Sequence, residues 1–223
     1  MEWDCLRLGK GERVETRFGD SWKDVLRFNR VDRRHVYPGV PLKVPRRLED
    51  VAGFTPMPAA YPGGDNGAKQ ILVDLAEQFL GAYEHGKLVF SAPIASGEGD
   101  NETPRGEFRV TAYHSAHRST EYFVEGTDIP YPMTWALRFH IDREGVTYWI
   151  HGRDIPGYRA SHGCVGLYDE AMQKKQYKVP RVPEMEDARK LFEWAIAPLP
   201  DDGKFHLLPD GPRVRIVGGT RGK

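Results

Sequence analysis

The sequence predicts a mostly β protein, a sandwich or barrel with one late helix, preceded by a small α/β unit. Three observations carry this. Between residues 69 and 152, short runs rich in β-branched and aromatic residues recur, separated by Gly, Pro, Asn and Asp. Residues 135–142 alternate: Trp135, Leu137, Phe139 and Ile141 share one face, and Ala136, Arg138, His140 and Asp142 share the other. A long helical stripe occurs only near the C-terminus.

Taken in order, residues 1–48 form the first unit. SWKDVLRF at 21–28 sets Trp22, Val25 and Leu26 at helical spacing, with Ser21 placed to cap. Tyr37, Pro38 and Gly39 signal a turn, and VPLKV at 40–44 a short strand. Residues 49–68 read as a linker, rich in Pro, Gly and small residues and without a period. The domain at 69–218 follows. Its strand-like runs are KQILVDL (69–75), KLVFSAPIAS (87–96), GEFRVTAY (106–113), TWALRFHID (134–142) and GVTYWIHG (145–152). EQFLGAYEHG at 77–86 reads as a hairpin connection carrying aromatic side chains. PEMEDARKLFEWA at 183–195 opens with Pro and acids. Its Met185, Ala188, Leu191, Phe192 and Ala195 form a core-packing stripe. PRVRIV at 212–217 is a closing strand.

Composition narrows the function. The 223 residues hold 32 Lys+Arg and 32 Asp+Glu, a net charge of zero, which removes the basic footprint of a nucleic-acid binder. No apolar run approaches membrane-spanning length. MEWDCLRLGKGERVE is charged and shows no signal peptide, although a chain beginning after a removed signal would read the same. Two cysteines do not make a disulfide scaffold, and Cys5 has no evident chemical role.

The chemistry concentrates at 150–167, IHGRDIPGYRASHGCVGL. Val146, Tyr148 and Ile150 of the preceding strand face one way, and Thr147, Trp149 and His151 the other. His151 therefore ends a strand, aimed by a sheet, and Gly152 breaks it. Ser161, His162, Gly163 and Cys164 follow after a loop. Gly163 permits a tight turn, and N–H groups at 162–164 could form an oxyanion hole. Three readings stay open on these residues. One is a Cys164 thiolate activated by His151 or His162. Another is a metal held by His151, His162 and Cys164 with His114 and His117, although the spacing fits no common zinc pattern. The third is a loop with a small buried cysteine. A thiol pKa well below the ordinary value would favour catalysis.

His151-Gly152 followed by Ser161-His162-Gly163-Cys164 resembles the signature of the L,D-transpeptidase (YkuD-like) family. KQILVDL, Glu77-Gln78 and YEHGKL at 83–88 are similar to its opening hairpin. TPRGEF at 103–108, with Ser96-Gly97 before it, resembles its Thr-Pro-x-Gly-x-Phe turn. PYPM at 130–133 resembles the segment before the active-site strands. The resemblance implies a β-sandwich-like catalytic domain acting on peptidoglycan stem peptides. Cys164 would form a thioester at the third residue of a tetrapeptide stem, releasing the terminal D-alanine, and an amine acceptor would resolve it into a 3–3 cross-link. His151 would move the proton. Backbone at His162, Gly163 and Cys164 would form the oxyanion hole, with Ser161 beside it. Residues 112–134 would form a flap, with Tyr131 and Met133 lining the groove. No cofactor or metal is implied, and the implied location is the periplasm or cell envelope. The family usually carries Arg or Asn two places after the cysteine, where this chain has Gly166. The loop between the two histidine motifs is also short.

The N-terminal unit resembles a degenerate LysM module, on GDSW at 19–22, Asn29 and YPGVPLKVP at 37–45. Between Gly19 and Gly39 there is room for one helix, where that module has two. The resemblance implies glycan contact. Two alternatives to the transpeptidase remain: an L,D-carboxypeptidase using water as acceptor, and a non-catalytic wall-binding protein.

Overall fold

The computed structural model describes residues 1–63, 67–124 and 126–218. The described chain is mostly β, as expected, with sheets of mixed type. One five-stranded sheet contains β3 (Lys69–Asp74), β4 (Phe79–Glu84), β5 (Lys87–Pro93), β6 (Gly106–Arg109) and β12 (Arg213–Val217), ordered β5-β4-β3-β12-β6. The other contains β7 (Ala112–Phe123), β8 (Pro130–Ile141), β9 (Thr147–Arg153), β10 (Val165–Tyr168) and β11 (His206–Leu207), ordered β10-β9-β8-β7-β11. Ile71, Val73, Leu80 and Ala92 of the first sheet share one buried core with Leu137, Phe139, Ile150 and Val165 of the second. Helix α4 (Asp187–Ile196) completes that core through Ala188, Leu191, Phe192 and Ala195. Trp135, Leu137 and Phe139 face it as the alternation predicts, whereas Ile141, paired with Thr147 at the end of β8, is exposed.

The structure corrects several sequence expectations. EQFLGAYEHG is not a connection: its centre is β4, with Phe79, Leu80, Ala82 and Tyr83 fully buried. The turn is only His85-Gly86, with φ of 49° and 77°. That is the two-residue geometry whose twist matches a hairpin. GEFRVTAY is not one strand either. β6 pairs with β12 and β7 with β8, so the chain changes sheets at Val110 and Thr111. The late helix begins at Asp187 rather than Pro183, because Glu170 Oε2 takes the N–H groups of Glu184 and Met185 at 2.6 and 2.9 Å. A helix the sequence reading missed, α3 (Glu170–Tyr177), precedes it. Asp169 caps it, accepting the Met172 N–H at 2.7 Å.

The first unit comprises β1 (Trp3–Arg7), α1 (Val14–Phe18), α2 (Trp22–Asn29) and β2 (Pro41–Pro45), with β1 and β2 antiparallel. It therefore has two helices, the first lying before Gly19. Ser21 makes no side-chain cap. A 3₁₀ turn over Gly19–Ser21 holds it in helical φ/ψ, outside the extended geometry a capping hydroxyl needs.

This unit packs directly on the larger one. Leu8, Phe18, Trp22 and Leu26 form a common cluster with Ala95, Ile155, Tyr168 and Met185. Two buried ion pairs cross between them: Arg27 to both oxygens of Asp187, at 2.5 and 2.6 Å, and Arg33 to both oxygens of Glu170. Removing one partner of such a pair costs about 3–5 kcal/mol, because the other charge is left buried. The connecting stretch also touches the sheet. Met57 packs on Leu72, Phe79 and Tyr83, and Tyr83 Oη donates to Pro58 O at 2.9 Å.

Candidate active site

β9 and β10 run parallel, with Gly166 opposite His151 and Val165 opposite Ile150. Cys164 lies two residues before Gly166. Side chains of opposed residues point to one face, and the pleat repeats every two residues. Cys164, Trp149 and His151 thus project from the same face, with Cys164 and His151 as diagonal neighbours. Both line a cleft of about 480 Å³. A cavity of about 530 Å³ lies elsewhere, by Lys69, Glu84 and Pro198, and no cysteine, histidine or serine lines it.

His151 is 4% exposed. Its Nδ1 lies 2.8 Å from Gly152 O, and a carbonyl only accepts, so the proton sits on Nδ1 and Nε2 keeps a lone pair. Burial, then the Arg153 charge, pushes the imidazole pKa down to about 3. Burial raises the Cys164 thiol to about 11, opposed by the Trp149 backbone N–H and by Arg153. The resting pair is a neutral thiol and a neutral imidazole, not the low-pKa thiolate expected of a catalytic cysteine.

The loop carrying Cys164 is held from behind. Ser161 is buried; its Oγ donates to Cys164 O at 2.5 Å and accepts the Gly163 N–H at 3.1 Å. That bond engages one of the N–H groups expected in the oxyanion hole. Gly163 has φ +105°, and a Cβ there would meet the Tyr148 ring at 2.7 Å, so the position admits only glycine. The N–H groups of Ala160 and Ser161 both reach Ser96 O, at 3.1 and 3.0 Å. Gly152 is required for space alone: a Cβ would fall 2.4 Å from Asp169 Oδ2.

Tyr131 and Met133 line the cleft, and burial raises the Tyr131 phenol pKa. The anticipated flap at 112–134 is the β7–β8 hairpin. Its inner part is sheet, and Ser119, Tyr122 and Phe123 of its outer part border the cleft. His162 is exposed and lies at the mouth, stacked on Tyr122 with ring centroids 4.2 Å apart. Its place is against the flap; Cys164 and His151 are the pair on the common strand face. His117 stacks on Trp149 at 4.4 Å inside the cleft, where burial and then His114 lower its pKa to about 4. No three His, Cys, Asp or Glu side chains converge as metal ligands among the described residues. Cys5 and Cys164 are both free. The sequence alone singles out neither Trp149 nor Arg153 for the cleft, and it offers His117 only as a metal ligand and Tyr122 only as part of the flap. For Trp149 the signal was present, since it shares a strand face with His151.

The model of the L,D-transpeptidase (YkuD) catalytic domain matches residues 68–216, more than half of the chain. No curated protein matches. An L,D-transpeptidase structure from Xylanimonas cellulosilytica is 24% identical with TM-score 0.50, over 86% of this chain and 78% of that one. One from Stackebrandtia nassauensis is 22% identical with TM-score 0.45, over 71% and 60%. L,D-transpeptidase 1 of Mycobacterium tuberculosis is 16% identical with TM-score 0.41, over 68% and 62%. This chain thus spans less than two thirds of the latter two. By the extent of the family match, the chain belongs to the L,D-transpeptidase (YkuD) catalytic domain family.

Proposed function

We propose that this chain is a cysteine L,D-transpeptidase that rebuilds peptidoglycan cross-links, with Cys164 as nucleophile and His151 as its acid–base partner. The observation that carries the reading is their projection from one face of a parallel strand pair into one cleft, with His151 Nδ1 fixed on Gly152 O.

The Cys164 sulfur attacks the carbonyl carbon of the third residue of a tetrapeptide stem while its proton passes to His151 Nε2. The attacked carbonyl becomes an oxyanion. Backbone N–H groups of His162 and Cys164 are its nearest candidates, since the Gly163 N–H is held by Ser161 Oγ. The carbon–nitrogen bond then breaks, the D-alanine amine leaves with the proton from His151, and a thioester remains. The amine of a second stem attacks this thioester, gives its proton to His151 and expels the sulfur. Cys164 recovers the proton, and a 3–3 cross-link is left. Tyr131 and Met133 would contact the stem from the flap side, and Ser161 would hold the turn.

The test is incubation with a disaccharide-tetrapeptide dimer, followed by mass spectrometry. D-alanine release with cross-linked product, absent in Cys164→Ala, is expected. Release without cross-linked product would assign an L,D-carboxypeptidase. Equal release by both proteins would remove the reading, and no release by either would leave a non-catalytic wall-binding protein.

In the same reading, residues 69–218 perform the chemistry outside the cytoplasm, in the periplasm or cell envelope. Residues 1–48, joined through 49–68, add LysM-like glycan contact; the β-α-α-β order with paired terminal strands supports this. Co-sedimentation of the full chain with peptide-free glycan strands tests that contact, and failure to pellet removes it. No helix among the described residues is long and apolar enough to cross a membrane.

A further inference from the structure

Gly166 stands across the strand pair from His151, two residues past Cys164. It has no side chain, yet the space of one is filled. A Cβ on Gly166 would fall 1.9 Å from both Cγ and Cδ of Arg153 and 3.2 Å from its Nε. Arg153 comes from β9, two residues beyond His151, and lies across Gly166 into the cleft. Two backbone carbonyls fix its guanidinium: Nε donates to Asp154 O at 3.1 Å, and Nη2 to Ala160 O at 3.0 Å. The side chain thus spans the short loop between the two halves of the motif.

Three features point to a ligand rather than to a staple alone. Arg153 is the one Lys or Arg among the described residues that line the cleft. It has no carboxylate partner among the described residues, because the adjacent Asp154 turns its Oδ2 to Arg34 Nη1 at 3.1 Å. Its charge also acts on both reacting groups, lowering the proton affinity of Cys164 and of His151.

We propose that Arg153, occupying the space that Gly166 leaves open, is the residue that binds the C-terminal carboxylate of the peptide donor. This rests on the acyl-transfer reading above. In that reaction the leaving D-alanine carries its carboxylate one residue beyond the attacked carbonyl, so a cation beside Cys164 and His151 meets it. A guanidinium already held by two carbonyls loses little freedom on binding and offers its remaining N–H groups to a carboxylate. Gly166 and Arg153 form a pair, since a side chain at 166 would displace the arginine.

The experiment compares a donor tetrapeptide bearing a free C-terminal carboxylate with its C-terminal amide. Release by the active protein and calorimetric binding to Cys164→Ala are both measured. Wild type should prefer the carboxylate by about tenfold in kcat/KM, the worth of one charge-assisted hydrogen bond. Arg153→Gln should bring the ratio near one, chiefly through KM of the carboxylate donor, and Arg153→Lys should keep part of it. Gly166→Ala should also lower it, and Arg153→Gly with Gly166→Arg should recover some of what Arg153→Gly loses. Equal slowing of both donors by Arg153→Gln, or no preference in wild type, would overturn the proposal. Binding to Cys164→Ala needs no chemistry, so loss of preference there counts against Arg153 alone. If Arg153→Gln does not fold, the Gly166→Ala and Arg153→Lys ratios decide.

Discussion

Thr103 seats Gly97 behind the cysteine loop. Its Oγ1 accepts the Gly97 N–H at 2.9 Å in a buried site. A Cβ on Gly97 would fall 2.0 Å from Asn101 O and 2.9 Å from Gly163 Cα. The Thr-Pro-Arg-Gly turn, distant in sequence from Cys164, is thus linked by two close contacts to the glycine beside the thiol. Gly97 pairs with Ser161, and Ala95 with Gly166, by isolated bridges, so this segment backs the loop on both sides of Cys164.

Thr103→Val should therefore cost about 1–3 kcal/mol, the penalty of leaving one buried N–H unpaired. Gly97→Ala should be worse, since backbone atoms cannot move aside. Denaturant unfolding and D-alanine release check this. Both variants should lose stability, and Gly97→Ala should lose activity even at temperatures where it is folded. Wild-type activity in folded Gly97→Ala would refute the link.

The resting charge state sets the pH behaviour. The thiol pKa is raised to about 11, so the reactive thiolate is scarce at neutral pH and grows as pH rises toward that value. Iodoacetamide alkylation of Cys164 should have its midpoint well above the ~8.5 of a free cysteine. The exposed Cys5 serves as reference within the same digest. The folded imidazole, lowered to about 3, binds its proton only in strong acid. An unfolded histidine binds it near ~6.5. The unfolded state therefore holds more protons between those values, and this group's contribution to stability is lost as pH falls through that window. His151→Gln should flatten that part of the acid unfolding profile. It should also reduce turnover by about 10²–10⁴. A Cys164 midpoint at or below the free value would contradict the neutral resting pair.

A carbapenem should acylate Cys164, because its strained carbonyl accepts the same attack as a stem peptide. Intact mass should rise by one adduct, peptide mapping should place it at Cys164, and Cys164→Ala should stay unmodified. His151→Gln should slow the adduct by about a hundredfold or more, because proton removal from a raised-pKa thiol needs the base. An unmodified wild-type mass after long incubation would count against an acylatable thiol.

The strands that make the site were legible because their periodicity survives in the fold. Trp149 and His151 on one face, and Tyr148 and Ile150 on the other, follow from alternation alone. The motif likewise named Cys164 and Gly163. What sequence could not give was contact across long separations. Arg153 fills the space over Gly166, far along the chain, and no spacing rule reports a side chain lying over a neighbouring strand. Helix α3 is not legible in the sequence because its buried face is polar, with Glu170 and Gln173 beside Met172, and these find their partners far along the chain: Arg33 and the Glu184 and Met185 N–H groups for Glu170, and Asp32 for Gln173. β4 was misread because Gly81 and the aromatic residues resemble turn text until the real turn, His85-Gly86, is located.

The same long-range contacts make the N-terminal unit part of the cleft's support. Asp32 is fully buried. Its Oδ2 accepts the Ile155 N–H and the Gln173 amide, each at 2.7 Å, while Oδ1 accepts the His35 N–H at 3.0 Å and faces His35 Nδ1 at 2.8 Å. Its backbone N–H returns to Ile155 O at 2.8 Å, and Val31 bridges to Pro156. These bonds fix the start of the loop that Arg153 spans, so they hold the guanidinium at one remove. Asp32→Ala should leave several buried polar groups unpaired, at about 1–3 kcal/mol each. At a temperature where the variant remains folded, the loop should loosen. KM for the carboxylate donor should then rise more than kcat falls, since the Asp32 side chain bonds neither β9, which carries His151, nor the turn before β10 that carries Cys164. Asp32→Asn keeps an oxygen for the Ile155 N–H and should recover part of both losses. Hydrogen exchange at Ile155 reports the local release directly: faster exchange with unchanged protection at Ile150 is expected, and uniform loss of protection across β9 would show global destabilisation instead.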